Sequence, residues 1–368
     1  MKNGQDLYNE HLTRFNKAVA LEKTDRTPVM FNANDFCAVQ RGVKLSEFSL
    51  DMTLAGQTIF DCLQTLGDVD ANEFFGAYPP IVGLGNLSKV KFAGRGLPED
   101  MPLQIDEAEL LTLEDYDTIL DKGFEAFFND FTVNRLGFDF AEFEAMIPAM
   151  IEAQMKFVQA GYVTCSTAMA SFEIDYLSGG RTMRKIVHDL FRMPDKLEAV
   201  MDVIHDYHIN SLRQQIREAK PTTVFTGAGR GACEYYSPKI WDRFVWKYYK
   251  KIADMIIEEG AIVQWHMDGN YERGLEYFRD FPKGKCIFCP DGGTDIRKVK
   301  EVLGDMMCIR GDVPAAMLVL GTPDEVYKYA TDLIKDMGSG FIMSAACMVP
   351  MNAKLENVKA MVSAATGK

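Results

Sequence analysis

The chain has 368 residues, 47 % of them apolar and 25 % charged, a balance that excludes a disordered chain and suffices for a sizeable buried core. Its formal net charge of -13, with no basic run, opposes phosphate backbones and anionic lipid, so nucleic acid is not expected as a partner. No apolar stretch reaches the roughly 20 residues of a membrane span, and the polar start Met1-Lys2-Asn3-Gly4-Gln5-Asp6 lacks a signal peptide's apolar core, so the expected location is the cytoplasm.

In chain order, the first strand expectations are Pro28–Phe31 and Asp68–Asp70. The acidic stretch from Pro98 to Lys122 has no period of its own and reads as decoration on whatever the strands build. Tyr162–Cys165 and Thr222–Phe225 follow as strands, the second leading into the glycine-rich loop Gly227-Ala228-Gly229-Arg230-Gly231. Ser237-Pro238 is N-cap and first helical residue of a helix that places Ile240, Phe244, Tyr248, Ile252, Met255 and Ile256 on one face and stops at Gly260.

The rest of the chain repeats a strand–helix unit. Ala261–His266 is a short apolar run between glycines, as a buried parallel strand requires. Lys285–Phe288 precedes a helix capped by Thr294, and Met306–Arg310 precedes one opening on the capping box Thr322-Pro323-Asp324-Glu325. Gly340–Ser344 precedes the last helix, after Pro350-Met351-Asn352.

Strands alternating with helices of this length imply right-handed βαβ units and a parallel sheet. About eight strands favour a (β/α)8 barrel of the TIM type with helical decoration in its N-terminal half, over residues 1–368 as one domain. An open doubly wound sheet is the alternative, but neither Gly-x-Gly-x-x-Gly nor a Walker loop is present to recommend it.

Cysteine usage is that of a reducing compartment. The eight residues (Cys37, Cys62, Cys165, Cys233, Cys286, Cys289, Cys308 and Cys347) are scattered, so they are expected as free thiols. Cys286-x-x-Cys289 has no second pair to complete a zinc ribbon and lies in a strand, which assigns it to packing.

Of five histidines, His11, His188, His205 and His208 fall in helical segments. His266 differs, because it closes an apolar strand. Side chains in a strand alternate, so His266 and Asp268 share a side, and a barrel presents that point at its C-terminal mouth. Cys347 lies just past the last strand and reaches the same mouth. Imidazole, carboxylate and thiolate form a zinc set with a fourth position open for substrate, as catalytic zinc requires. Glu234, at equal depth after the glycine-rich loop, is a further candidate for metal or proton work. Tyr235 and Tyr236 beside it are suited to lining a pocket or to stapling a helix start.

Two segments resemble the uroporphyrinogen decarboxylase superfamily: Arg14–Val19 with Asp25-Arg26-Thr27-Pro28-Val29, and the close of the chain through Gly321–Val326, Gly340–Ile342, Glu356–Val358 and Met361. The stretch from Ser171 through Asp195 to Ser237 is similar but looser. This resemblance implies the barrel and does not imply decarboxylation. True decarboxylases carry an Arg-Gln-Ala-Gly-Arg-type segment after the first strand that grips a polyanionic porphyrinogen, and this chain has Phe31-Asn32-Ala33-Asn34-Asp35-Phe36 there. The family's late Gly-His-Gly is replaced by Ala346-Cys347-Met348.

The chain is more similar to the superfamily's cobalamin-dependent methyltransferases, in which His-x-Cys and a distant Cys hold zinc. His266 and Cys347 match two of those ligands, while Asp268 stands where methylcobalamin:coenzyme M methyltransferases have a cysteine. Fewer thiolates leave zinc a stronger Lewis acid, which suits an ether oxygen better than a thiol. The resemblance to O-demethylase methyltransferases therefore implies transfer of a methyl group from a methoxylated aromatic to cobalamin on a separate corrinoid protein. Decarboxylation and methyl transfer to a thiol are the alternatives.

Overall fold

A computed structural model describes residues 3–73, 78–227 and 229–367. Eight parallel strands close into a ring: β1 (Met30–Phe31), β2 (Ala71–Asn72), β3 in two pieces (Val163–Thr164 and Ala168–Ala170), β4 (Thr223–Gly227), β5 (Ile262–Met267), β6 (Cys286–Pro290), β7 (Cys308–Val313) and β8 (Phe341–Ala345). The first piece of β3 pairs with β2 and the second with β4. The ring shuts where Val29 bridges Met343 of β8, whose amide donates to Pro28 O at 2.9 Å. That closure makes the fold a (β/α)8 barrel and removes the open sheet, because no strand edge is left to carry it.

The strands read as apolar runs because helices cover their outer face. On β5, Trp265 packs outward against Phe172, Tyr249 and Phe278. Gln264 points inward, where its amide reaches Glu73 and Ser166. Alternation then sends His266 inward one layer nearer the mouth. β3 breaks at Ser166, which adopts φ +57, a left-handed turn that no ladder accommodates. Thr223 Oγ1 takes the Ser166 amide at 2.9 Å and holds the break in place.

Several boundaries differ from the sequence expectation. β2 begins at Ala71 and not at Asp68, because the Asp70 carboxylate is buried among Arg14, Arg26 (2.7 Å) and the Val29 amide (2.8 Å), clamping the first helix, Gly4–Val19, to the barrel floor. Thr294 does not cap the helix Ile296–Leu303. Asp295 does, and the Thr294 hydroxyl instead joins Gly269 O and the Tyr271 amide, each at 2.9 Å. Ser237 makes no side-chain cap, and the helix from Pro238 widens into a π turn over Asp242–Trp246 before continuing as Lys247–Glu258. The wide turn lets three successive side chains, Phe244, Val245 and Trp246, all face the core. The Thr322 capping box forms as expected.

The decoration lies between β2 and β3. It holds the helices Pro80–Asn86, Leu113–Lys122, Phe124–Phe131 and Phe140–Gln159, and also a small sheet, Lys89–Ala93 with Gly96–Leu97 and Gln104–Asp106, that the sequence reading lacks. All eight cysteines are free, and among the described residues no helix is long and apolar enough to cross a membrane.

Candidate metal centre

β5 and β8 end at the same face of the ring, and their last residues deliver the centre. His266 is buried and stacks on Phe225 of β4, ring centroids 5.3 Å apart, which fixes the imidazole plane. Its Nε2 lies 3.3 Å from Asp268 Oδ1 and 3.5 Å from Cys347 Sγ. Asp268 is 44 % exposed and Cys347 half-buried, so the cluster faces the mouth while the imidazole backs into the barrel. One ligand atom from each of the three residues lies within 4.8 Å of the other two, and no other such group occurs among the described residues.

These spacings fit a tetrahedral ion. At zinc bond lengths of ~2.0 Å to nitrogen and ~2.3 Å to sulfur, tetrahedral angles place the two donors about 3.5 Å apart. The electrostatics agree. Burial draws the His266 pKa down, yet the hydrogen bonds to Asp268 and Cys347 outweigh it and push the value up to about 10. Two acidic groups thus favour positive charge at the imidazole.

The other sequence candidates are placed differently. Glu234 stands apart from the three-residue cluster, and its Oε1 accepts the Asn270 amide at 2.8 Å, bracing the loop that follows β5. Tyr236 donates to Arg230 O at 2.8 Å, whereas Tyr235 is half exposed. In the glycine-rich loop Ala228 lies outside the described residues, while a Cβ on Gly229 would stand 3.7 Å from Asp268 Oδ2. Cys286 and Cys289 are buried on β6, and burial pushes both thiols up to about 12, as packing residues require. Of the other histidines, His205 Nδ1 meets Glu173 at 2.7 Å and His11 Nε2 lies 3.4 Å from Asp68, both as structural pairs.

Beneath the centre lies an ion pair that the sequence reading missed. Arg310 of β7 and Glu73, just past β2, meet at 2.9 Å inside the barrel, both buried. Burial raises the Glu73 carboxyl, but Arg310, with smaller help from the His266 charge, holds it below the usual range. Ser166 donates to Glu73 Oε1 at 2.9 Å. An arginine ending the apolar run Met306–Arg310 was the available signal, since such a charge inside a barrel demands a partner.

Residues 160–367 match the family model described as uroporphyrinogen decarboxylase (URO-D). The chain belongs to that family. Among solved structures, a methyltransferase from Methanosarcina mazei is similar at a TM-score of 0.73 with 16 % identity, covering 97 % of this chain and 98 % of that one. At that identity the likeness is one of fold. No curated protein matches the sequence. Within the URO-D barrel, the segment after β1 offers the buried amides Asn32 and Asn34 in place of guanidiniums.

Proposed function

We propose that this URO-D barrel, acting as one unit over residues 1–368, is a zinc-dependent methyltransferase that moves a methyl group from an aryl methyl ether to the cobalamin of a separate corrinoid protein. The convergence of His266, Asp268 and Cys347 at the barrel mouth carries this reading. One imidazole and two anionic ligands suit zinc and leave a fourth position for a substrate oxygen. When bound, the ion would supply Lewis acidity toward that oxygen.

The residues of the chain do the rest. His266 presents Nε2 to the mouth because its ring is stacked on Phe225 and backed by the barrel interior. Asp268 supplies one anionic charge where a third softer ligand would dampen the metal's pull. The corrinoid, as methyl acceptor, would supply the electron pair for the new bond to the methyl carbon, while the pair of the broken ether C–O bond would stay on the substrate oxygen. Glu234 braces the Asn270 amide, so its part is to hold the Asp268 loop, with proton work as the alternative role.

Porphyrinogen decarboxylation is disfavoured by Asn32 and Asn34, which offer no guanidinium to a polycarboxylate substrate. The deciding experiment is metal analysis of the purified protein, followed by methyl transfer from 2-methoxyphenol to free cob(I)alamin. Stoichiometric zinc with methylcobalamin formation supports the reading, and uroporphyrinogen turnover in its place refutes it.

A further inference from the structure

His266 turns Nε2 toward Asp268 and Cys347, and its other ring nitrogen, Nδ1, is buried with no hydrogen-bond partner among the described residues. An imidazole that ligates a metal through Nε2 carries its proton on Nδ1, and a buried N–H left without an acceptor is costly. Stacking on Phe225 fixes the plane of the ring. It does not fix which edge faces the mouth, because a half-turn of the ring keeps the plane and exchanges nitrogen for carbon at each position.

The barrel interior offers an anionic acceptor one layer below. Gln264, two residues before His266 on β5, points to the same side and reaches both Glu73 and Ser166, the latter at 3.1 Å. Glu73 Oε1 also accepts from Ser166 at 2.9 Å, while Oε2 faces Arg310 Nη2 at 2.9 Å. A carboxylate has about four acceptor sites, so Oε2 retains one beyond Arg310. Burial raises the Glu73 carboxyl, and the charges of Arg310 and then His266 hold it low, so the imidazole lies within electrostatic reach. Two residues of strand rise ~6.6 Å, too far for a direct bond and close to the span of two hydrogen bonds that meet at one water. Buried waters of this kind join polar groups that the fold leaves unpaired.

Resting on the metal reading proposed above, we infer that Glu73 is a positioning residue for His266, holding Nδ1–H through a buried water so that Nε2 faces the metal. A carboxylate behind a ligating histidine fixes the ring's orientation and makes it a more basic ligand. Arg310 completes the arrangement by keeping Glu73 ionised inside the barrel, where an unpaired carboxylate would take up a proton and lose its pull.

The test compares two double variants, Glu73→Gln with Arg310→Met and Glu73→Leu with Arg310→Met. Both remove the ion pair, and they differ in whether an acceptor oxygen remains at position 73. Zinc affinity is read by competition with a chromophoric chelator. The His266 Nδ1 proton is read by NMR of protein carrying isotope-labelled histidine, with the signal assigned by its loss in His266→Ala. Glu73→Leu with Arg310→Met is expected to bind zinc about 10–100-fold more weakly than wild type and to lose the proton signal to solvent exchange. Glu73→Gln with Arg310→Met should recover most of both. A purely structural role would lower the urea midpoints without separating the two zinc affinities. Equal zinc affinity in the double variants, or an equally protected proton in both, overturns the inference. So does a His266 Nδ1 proton that exchanges freely in the wild-type protein, a result that needs no variant to fold. Wild-type protein that takes up no zinc refutes the metal reading alone, and the Nδ1 proton of the zinc-free protein then still decides the bond to Glu73.

Discussion

His266 Nε2 and Cys347 Sγ are 3.5 Å apart although 81 residues of chain separate them. They meet because β5 and β8 run parallel in one closed ring and both end at its mouth. Zinc is accordingly expected at about one ion per chain. His266→Ala and Cys347→Ala should each release it while the far-ultraviolet circular dichroism stays unchanged. Full zinc content in both variants, read by atomic emission, would place the ion elsewhere.

Under the proposed function, Asp268 would set how electrophilic a bound zinc ion is. Asp268→Cys should retain zinc, since thiolate binds it at least as well, and should slow ether cleavage about tenfold, ~1.4 kcal/mol of barrier. Asp268→Ala should lose metal affinity by removing a ligand. Zinc titration beside single-turnover methyl transfer separates the two effects. An Asp268→Cys enzyme as fast as wild type would withdraw the preference for ethers over thiols.

The buried Glu73–Arg310 pair predicts an asymmetric stability response. Glu73→Gln leaves a guanidinium unpaired in the barrel and should cost roughly 3–5 kcal/mol. The double change Glu73→Leu with Arg310→Met removes both charges and should cost clearly less than the two single changes added together. Urea denaturation midpoints supply the comparison. Strict additivity would mean that the two charges do not depend on each other.

Asp312 of β7 gives a pH signature. Burial raises its carboxyl from an ordinary 3.8 to about 6, against the hydrogen bond from Tyr329 at 2.8 Å. The folded state then holds this proton longer than the unfolded chain does. Its stabilising contribution is complete below about pH 4 and is lost as pH rises through about 6. Asp312→Asn should therefore gain stability relative to wild type between pH 4 and pH 7, measured as the difference in urea midpoint. A difference that stays constant across that window would show the carboxyl to be unperturbed.

The sequence by itself determined the fold class and the three residues at the mouth. Apolar strands alternating with capped amphipathic helices leave few architectures, and the Thr322 capping box and the run Ala261–His266 read correctly because their signals are local. His266, Asp268 and Cys347 were legible because polar, metal-ligating side chains at the ends of apolar strands have few structural reasons to be there. Tertiary structure alone decided what depends on contacts between distant segments. Asp70 spends its carboxylate on Arg14 and Arg26, which pushes β2 onward. Thr294 serves the loop after β5 in preference to its own helix. Glu73 finds Arg310 across the barrel, and Asp175 takes the Arg230 amide of the glycine-rich loop. In each case a polar side chain has more than one available partner, and only ring closure, by burying some partners and removing water, selects which bond forms.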